Sequence, residues 1–302
     1  MPNHADKSTV LALGFFDGVH LGHGALLRRT AEVAAKHGWK SAVMTFDSHP
    51  DTLVFGHNVP LISSSADRAY LIRTLYGIDC VEFLRFTKET MCIPWNEFLS
   101  LIQKELQVQH FVIGYDFHFG WKGEGDGQKL TLWCAEHGLS CDIIGKVERN
   151  GVTISSTYIR ELIRDGQMRL AAEFMGHPHL LSDVVRSGHR LGRRLGAPTI
   201  NMQFDTGVLI PKQGVYATRV KLEDGFYSAV TNIGTRPTVS ESGELTVETH
   251  ILDYSGNLYG RRVILEFLDY IRPEQRFDSL ELLSAQIVRD AECSRKAAEE
   301  FI

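Results

Sequence analysis

Hydrophobic periodicity changes character once along this chain, near residues 176–178, and that change constrains the fold more than any other feature. Before it, short β-branched or apolar runs alternate with amphipathic stretches. Residues 10–13, 41–46, 80–86 and 111–113 read as strands; 24–37, 66–76, 95–106 and 128–137 read as helices, the second opened by a Ser65 cap. Such alternation predicts a parallel sheet covered on both faces. Two further helical stretches, 157–165 and 168–174, precede the change. Beyond it, segments 214–222, 226–233, 245–252 and 261–270 are separated by Gly or Pro turns, the spacing of a small antiparallel barrel. Residues 279–302 close the chain as an amphipathic helix with Leu280, Leu283, Ile287 and Ala291 on one face.

A chain of 302 residues exceeds the size at which one core stops growing, and 43% hydrophobic residues suffice for packed interiors, so the change of texture marks a domain boundary. The formal net charge of -5 argues against a partner bound by neutralising nucleic-acid phosphates; a phosphate ligand must be held locally. The first residues have neither a basic nor a long apolar region, and no run of about 18 apolar residues occurs, which predicts a cytoplasmic protein with no membrane partner. Five scattered cysteines (Cys80, Cys92, Cys134, Cys141, Cys293), never spaced as CxxC, suggest neither a disulfide framework nor a zinc site.

Residues 13–27, LGFFDGVHLGHGALL, follow the first strand and open the first helix, where an open α/β sheet binds its ligand. Gly14, Gly18 and Gly22 let the backbone approach a phosphate, and His20 and His23, three apart, can face one oxygen cluster at a helix N-terminus. Alone, these histidines are equally well read as part of a capped loop; as metal ligands they lack a third partner nearby. Residues 154–160, ISSTYIR, place the hydroxyls of Ser155, Ser156 and Thr157 and the guanidinium of Arg160 at another helix start. That suits polyphosphate oxygens and a departing pyrophosphate, or ordinary N-capping.

The second half lacks a Walker GxxxxGK[ST] and a protein-kinase HRD or DFG set. Residues 188–201, GHRLGRRLGAPTIN, instead combine Gly192 and Gly196 with Thr199 and Asn201, whose alternation on a strand aims both side chains one way. A hydroxyl and an amide oxygen are hard donors suited to magnesium; a Gly/Pro turn entering a plain strand is the simpler alternative. Downstream, 232–238 reads NIGTRPT and 247–253 reads VETHILD. Glu248 could accept the proton of an alcohol attacking a γ-phosphorus, or be a surface carboxylate.

Taken together, GxFDGVHxGH and SSTxIR resemble the adenylyltransferase domain of bacterial bifunctional riboflavin kinase/FAD synthetases, as do TFDSHP at 45–50 and GYDFHFG at 114–120. The stretch GAPTIN, then ETHILD, LYG at 258–260 and IRPEQRFDSLELLSAQIVRD at 271–290, resembles the riboflavin kinase domain in order. Phe15 stands where the family often carries a small or polar residue, and His118 where it usually carries Arg. The resemblance implies an α/β Rossmann-like nucleotidyltransferase domain, about 1–180, and a small antiparallel β-barrel kinase domain with a C-terminal helix, about 183–302. It implies ATP and Mg2+, with riboflavin, FMN and FAD as substrates and products. Gly14, Phe16, Asp17, Gly22, Ser155, Ser156, Thr157, Gly192, Gly196, Thr199 and Asn201 would bind nucleotide, the last pair of these also magnesium. His20, His23 and Arg160 would serve adenylyl transfer and Glu248 phosphorylation; Asp116, Arg272 and Phe277 would contact flavin. The departures leave a kinase with a weakened adenylyltransferase as one alternative and a non-catalytic flavin or nucleotide sensor as another, with oligomeric state open.

Overall fold

The computed structural model describes residues 8–48, 59–85, 87–186, 199–236 and 244–301. The chain divides into two compact units, Met1–Ser156 and Thr157–Ile302.

In the first unit, strands β1 (Thr9–Leu13), β2 (Lys40–Phe46), β3 (Cys80–Leu84), β4 (Val108–Gly114) and β5 (Ser140–Ile144) form a parallel sheet in the order β3-β2-β1-β4-β5. Every residue of β1 is buried, as befits a central strand covered on both faces. The helices are α1 (Leu21–His37), α2 (Ser65–Tyr76), α3 (Lys88–Met91), α4 (Trp95–Leu106) and α5 (Gly127–Glu136). On α4, Phe98, Leu99 and Ile102 repeat at helical spacing and are buried, worth about 2 kcal/mol each. The α2 cap is Ser64, one residue before the expected Ser65; its hydroxyl accepts from the Asp67 amide. Strand β5 lies outside the strands expected from the sequence. It is short, polar at its start and half-exposed at the sheet edge, so it carries little hydrophobic signal. Because the chain leaves β1 toward β2 on one side and returns to β4 on the other, a crevice opens at the carboxyl ends of β1 and β4.

A two-stranded ribbon, β6 (Glu148–Arg149) and β7 (Val152–Thr153), leads to α6 (Ser156–Arg164) and α7 (Met168–Met175). The sequence reading puts these helices in the first domain. Contacts place α7 and nearly all of α6 in the second unit, where α7 packs on the barrel and Met168 joins its core.

The second unit holds six antiparallel strands, β8 (His179–Val184), β9 (Thr199–Met202), β10 (Gly214–Leu222), β11 (Gly225–Arg236), β12 (Glu244–Ile251) and β13 (Arg262–Arg272), in the order β8-β13-β10-β11-β12-β9. The sheet curls until its edges meet: the Arg186 amide donates to the Asn201 carbonyl at 2.9 Å, and the Gln203 amide to Asp183 at 2.8 Å. That closure makes it a barrel. Alternation sends Tyr216, Ile233 and Val247 into the core and Val215, Asn232 and Glu248 to the opposite face. Thr218, Thr231 and Thr249 satisfy one another across three strands through hydroxyl contacts of 2.9 Å.

Helix α8 (Leu280–Glu300) covers the outer face, burying Asp290, Ala291, Ser294 and Ala297. Leu280 departs from the expected apolar stripe and is 62% exposed. Small residues let the later turns approach the strands closely, and the Ser294 hydroxyl donates to the carbonyls of Thr218 and Ala229.

His179 is buried beside Phe267, its Nε2 has no hydrogen-bond partner among the described residues, and burial, then the charge of His177, lowers its pKa to about 3. The folded value lies below the unfolded one near 6.5, so the neutral ring's stability is complete above that pH and is lost as pH falls toward 3. Between pH 7 and pH 5 the loss is about 2 kcal/mol. Thermal melts of His179→Leu should therefore show a shallower fall over that interval than the parent; parallel curves would contradict the assignment.

Candidate functional site

A cleft of about 350 Å³ lies in the first unit where the sheet order reverses, walled by Leu13, Gly14, Gly114 and Ile144 at the ends of β1, β4 and β5. The turn after β1 is strained: Phe16 and Val19 have φ of 52° and 43°, costing about 1–3 kcal/mol each outside glycine. Gly18, at φ 73°, supplies the same backbone region without a side chain. A Cβ on Gly14 would stand 2.9 Å from the Phe16 ring, so the glycine is needed for close packing.

Asp17 holds this turn from beneath. It is fully buried, accepting from the amides of Ile62 at 2.9 Å and Ser63 at 3.1 Å, with Arg68 Nη2 at 3.9 Å. Its carboxylate, expected from the sequence to meet nucleotide, is not among the groups lining the cleft and holds the turn's geometry. Its carbonyl accepts from the Ser156 hydroxyl at 3.1 Å, which joins the two phosphate-type motifs across 139 residues.

His20 caps α1, its Nδ1 accepting from the His23 amide at 3.2 Å. That bond leaves the proton of a neutral ring on Nε2. The two imidazoles stack with centroids 3.6 Å apart. Burial, then the neighbouring charges of His20 and Arg68, holds His23 well below the usual histidine range, so it acts as a neutral hydrogen-bonding ring at pH 7. Both histidines, Gly22, Phe16, Ser155 and Ser156 line the cleft. Thr157 is exposed and Arg160 buried on α6. Exposed Asp116 and His118 form another wall, where the His118 Nδ1–H donates to the Gly123 carbonyl. Phe15 lies under the Arg68 guanidinium, 4.7 Å from its ring, which accommodates the aromatic departure. Sequence reasoning missed Tyr115 and Lys146 on this cleft; both follow strand ends, which position alone could have flagged.

The second unit carries a cleft of about 370 Å³ on the outer face of the barrel. Strand register brings its residues together: Asn201 opposes Glu248, Glu248 opposes Asn232, Asn232 opposes Val215, and Val215 opposes Arg272. Opposed residues share a face, so segments from β9 to β13 contribute to one row. Thr199, Glu248, Arg272 and Phe277 line the cleft; Asn201 stands beside Glu248 in the row. Asn232, His250, Glu274 and Asp290 were not assigned from the sequence, although register from the 247–253 strand would have reached the first two. Gly192 and Gly196 lie outside the described residues, as do His49, Pro50, Pro237 and Thr238 of the motifs.

The donors fit magnesium. Thr199 and Asn201 present a hydroxyl and an amide oxygen two residues apart on one strand, and the described residues contain no cluster of three His, Cys, Asp or Glu such as a zinc cage needs. Neutral hard oxygens suit an ion that takes its other ligands from water and nucleotide phosphates.

An α/β unit with histidines and hydroxyls at its switch point, joined to a barrel with a carboxylate beside hard oxygen donors, defines a two-domain transferase of phosphorus-containing groups. The FAD synthetase family model matches residues 3–158 and the riboflavin kinase model residues 175–298. The chain belongs to the bifunctional riboflavin kinase/FMN adenylyltransferase family. It is 37% identical to the Escherichia coli K12 member, with 96% of this chain and 93% of that one aligned. Identity is 35% to the Pseudomonas fluorescens member, covering 98% and 94% of the two chains, and 33% to that of Listeria monocytogenes, covering 96% and 92%. A crystal structure named as a Streptococcus pneumoniae macrolide-efflux protein superposes with a TM-score of 0.85 at 29% identity, covering 97% of this chain and 96% of that one. Among the described residues here, no helix is long and apolar enough to cross a membrane.

Replacing Asp17 with Asn keeps the shape but puts an NH2 opposite amide donors. Urea melts should show a loss of about 1–3 kcal/mol together with reduced FAD formation. Full stability with normal FAD formation would mean that the turn does not depend on the carboxylate.

Proposed function

We propose that the two activities of the family are carried by two separate sites, one in each half of the chain, with Glu248 as the base for phosphorylation and the His20/His23 cleft as the seat of adenylyl transfer. The chain phosphorylates riboflavin to FMN with ATP, and adenylates FMN to FAD with a second ATP, releasing pyrophosphate. The observation that carries the division is the presence of two distinct clefts, each internal to one compact unit and each lined by its own polar motif. The proposed functional division falls at about 1–180 and 183–302, which assigns Thr157 and Arg160 to adenylyl transfer.

In the barrel, Glu248 accepts the proton of the riboflavin 5′-hydroxyl as that oxygen attacks the γ-phosphorus and ADP leaves. Thr199 and Asn201 would hold magnesium, which when bound supplies neutralisation of the phosphate oxygens. Phe277, Val215 and Val230 offer an apolar wall to the flavin ring. Gly192 and Gly196 belong to the same proposed nucleotide site by motif.

In the α/β unit, an oxygen of the FMN phosphate attacks the α-phosphorus of ATP, and the bond to pyrophosphate breaks with no covalent enzyme intermediate. His20 donates from Nε2, neutral His23 adds a second ring donor, and Ser155 and Ser156 contribute hydroxyls. Arg160 and Thr157 would steady the departing pyrophosphate, and Asp116 would meet the flavin. The cytoplasm is the proposed compartment, since all five cysteines carry free thiols.

Glu248→Ala should abolish FMN formation from riboflavin while conversion of supplied FMN to FAD continues; His23→Ala should do the reverse. Chromatographic separation of flavins from the two reactions checks both. Equal loss of both activities in either folded variant would defeat the two-site assignment.

A further inference from the structure

We infer that Asp290 is a positioning residue for riboflavin phosphorylation, fixing Arg272 and the first turns of α8 over the cleft that contains Glu248; this rests on reading that cleft as the riboflavin site. Arg272 stands at the end of the row that begins with Asn201 and Glu248. A guanidinium there invites the role of a phosphate clamp, but three of its five N–H groups are committed within the chain. Nε donates to both Asp290 oxygens at 3.1 and 3.2 Å, Nη2 donates to Oδ2 at 2.8 Å, and Nη1 donates to the Pro273 carbonyl at 3.0 Å. With its Nε–Nη2 edge committed to Asp290, the group is held as a part of the wall. Its carbon lies 5.8 Å from the centre of the Phe277 ring, so the fork also fixes where that ring can sit.

The Asp290 carboxylate is equally occupied. It is 2% exposed, and Oδ1 takes a further bond of 2.8 Å from Gln286, one turn earlier. Counting from the N-terminus of α8, it is the first buried residue. In the turns before it, Leu280, Leu282 and Val288 are exposed, while Leu283 and Ile287 are half-buried at the cleft. Leu283, Ile287 and Asp290 follow helical spacing on one face, so seating the carboxylate on Arg272 also seats the two apolar residues over the flavin site. A buried carboxylate requires a partner, and the bidentate fork admits one orientation. The ion pair thus selects a position of the helix more than it adds stability. The segment between β13 and α8 is held on its other side by Asn232 Nδ2, which donates to Glu274 at 2.8 Å across the Cβ-free face of Gly234.

A wall of this kind governs riboflavin binding, whereas Glu248 governs the chemical step. Asp290→Asn removes the charge; Arg272→Lys keeps a cation opposite Asp290 but loses the planar fork. With riboflavin varied at saturating ATP, each should raise the KM for riboflavin about tenfold and leave kcat within about threefold, with the KM for ATP unchanged. Conversion of supplied FMN to FAD and a cooperative melt establish that each variant is folded. If Asp290→Asn does not fold, Arg272→Lys carries the test by itself, since it leaves no buried charge without an opposite. A folded variant with the parent's riboflavin KM, or one that loses kcat at unchanged KM, would overturn the positioning role. Glu248→Gln, measured alongside, should lower kcat at unchanged riboflavin KM; if it leaves FMN formation intact, the reading of the cleft itself has failed.

Discussion

Directly opposed residues of an antiparallel sheet share a face, and the barrel's chemistry depends on that constraint. Asn201, Glu248, Asn232, Val215 and Arg272 come from five strands spread over more than seventy residues, yet register sets them in one line. A slip of one residue in any pairing would send a member of the row into the core and bring a core residue such as Val247 or Ile233 out. The same alternation that packs the interior therefore aims the functional side chains. Closure of the sheet between Arg186 and Asn201 adds a further fixed point beside Glu248.

The α/β unit reaches the same end by other means. There the chain reversal between β1 and β4 opens the crevice, and a strained turn fills it with backbone and imidazole groups. Positive φ at Phe16 and Val19 persists because the surroundings over-determine it: Asp17 is held by Ile62 and Ser63, the Gly18 amide donates to Ser63 Oγ, and Phe15 is anchored by Arg68 and Thr45. Buried polar groups thus maintain the geometry of a turn that walls the cleft. The neutral state of His23 follows from the same burial, so its contribution there is that of a dipole and hydrogen-bond donor rather than of a cation.

Helix α8 divides into two parts with different roles. From Asp290 onward small residues and Ser294 lock it to β10 and β11; before Asp290 its apolar residues are half-buried at the barrel cleft or exposed. Burial therefore rises along the helix from the site outward, and an ion pair marks the transition. That arrangement matches the amphipathic stripe read through Leu280, which holds at Leu283, Ile287 and Ala291 but fails at its first member, an exposed residue.

Periodicity and turn chemistry made both architectures legible, including four strands of each sheet, because burial on a sheet or helix face writes itself into residue spacing. The polar motifs likewise pointed to two places in the chain, and a cleft lies beside residues of each. Short edge strands β5 and β8 left too little apolar pattern to be read, and the cap of α2 fell one residue early. The destination of each polar side chain was decided by tertiary structure alone. Asp17 and Ser156 are both polar residues in phosphate-type motifs, yet the Asp17 carboxylate is consumed by distant amides away from the cleft, whereas Ser156 lines it while donating its hydroxyl to the Asp17 carbonyl. Arg272 has the chemistry of a ligand contact, but Asp290, eighteen residues away, takes the Nε–Nη2 edge of its guanidinium. The amino-acid sequence by itself determined which chemical groups this protein has at its disposal and the two folds that carry them. The tertiary structure decided which of those groups line a cleft, because a polar group's partner is set by which distant segment packing brings within hydrogen-bond reach.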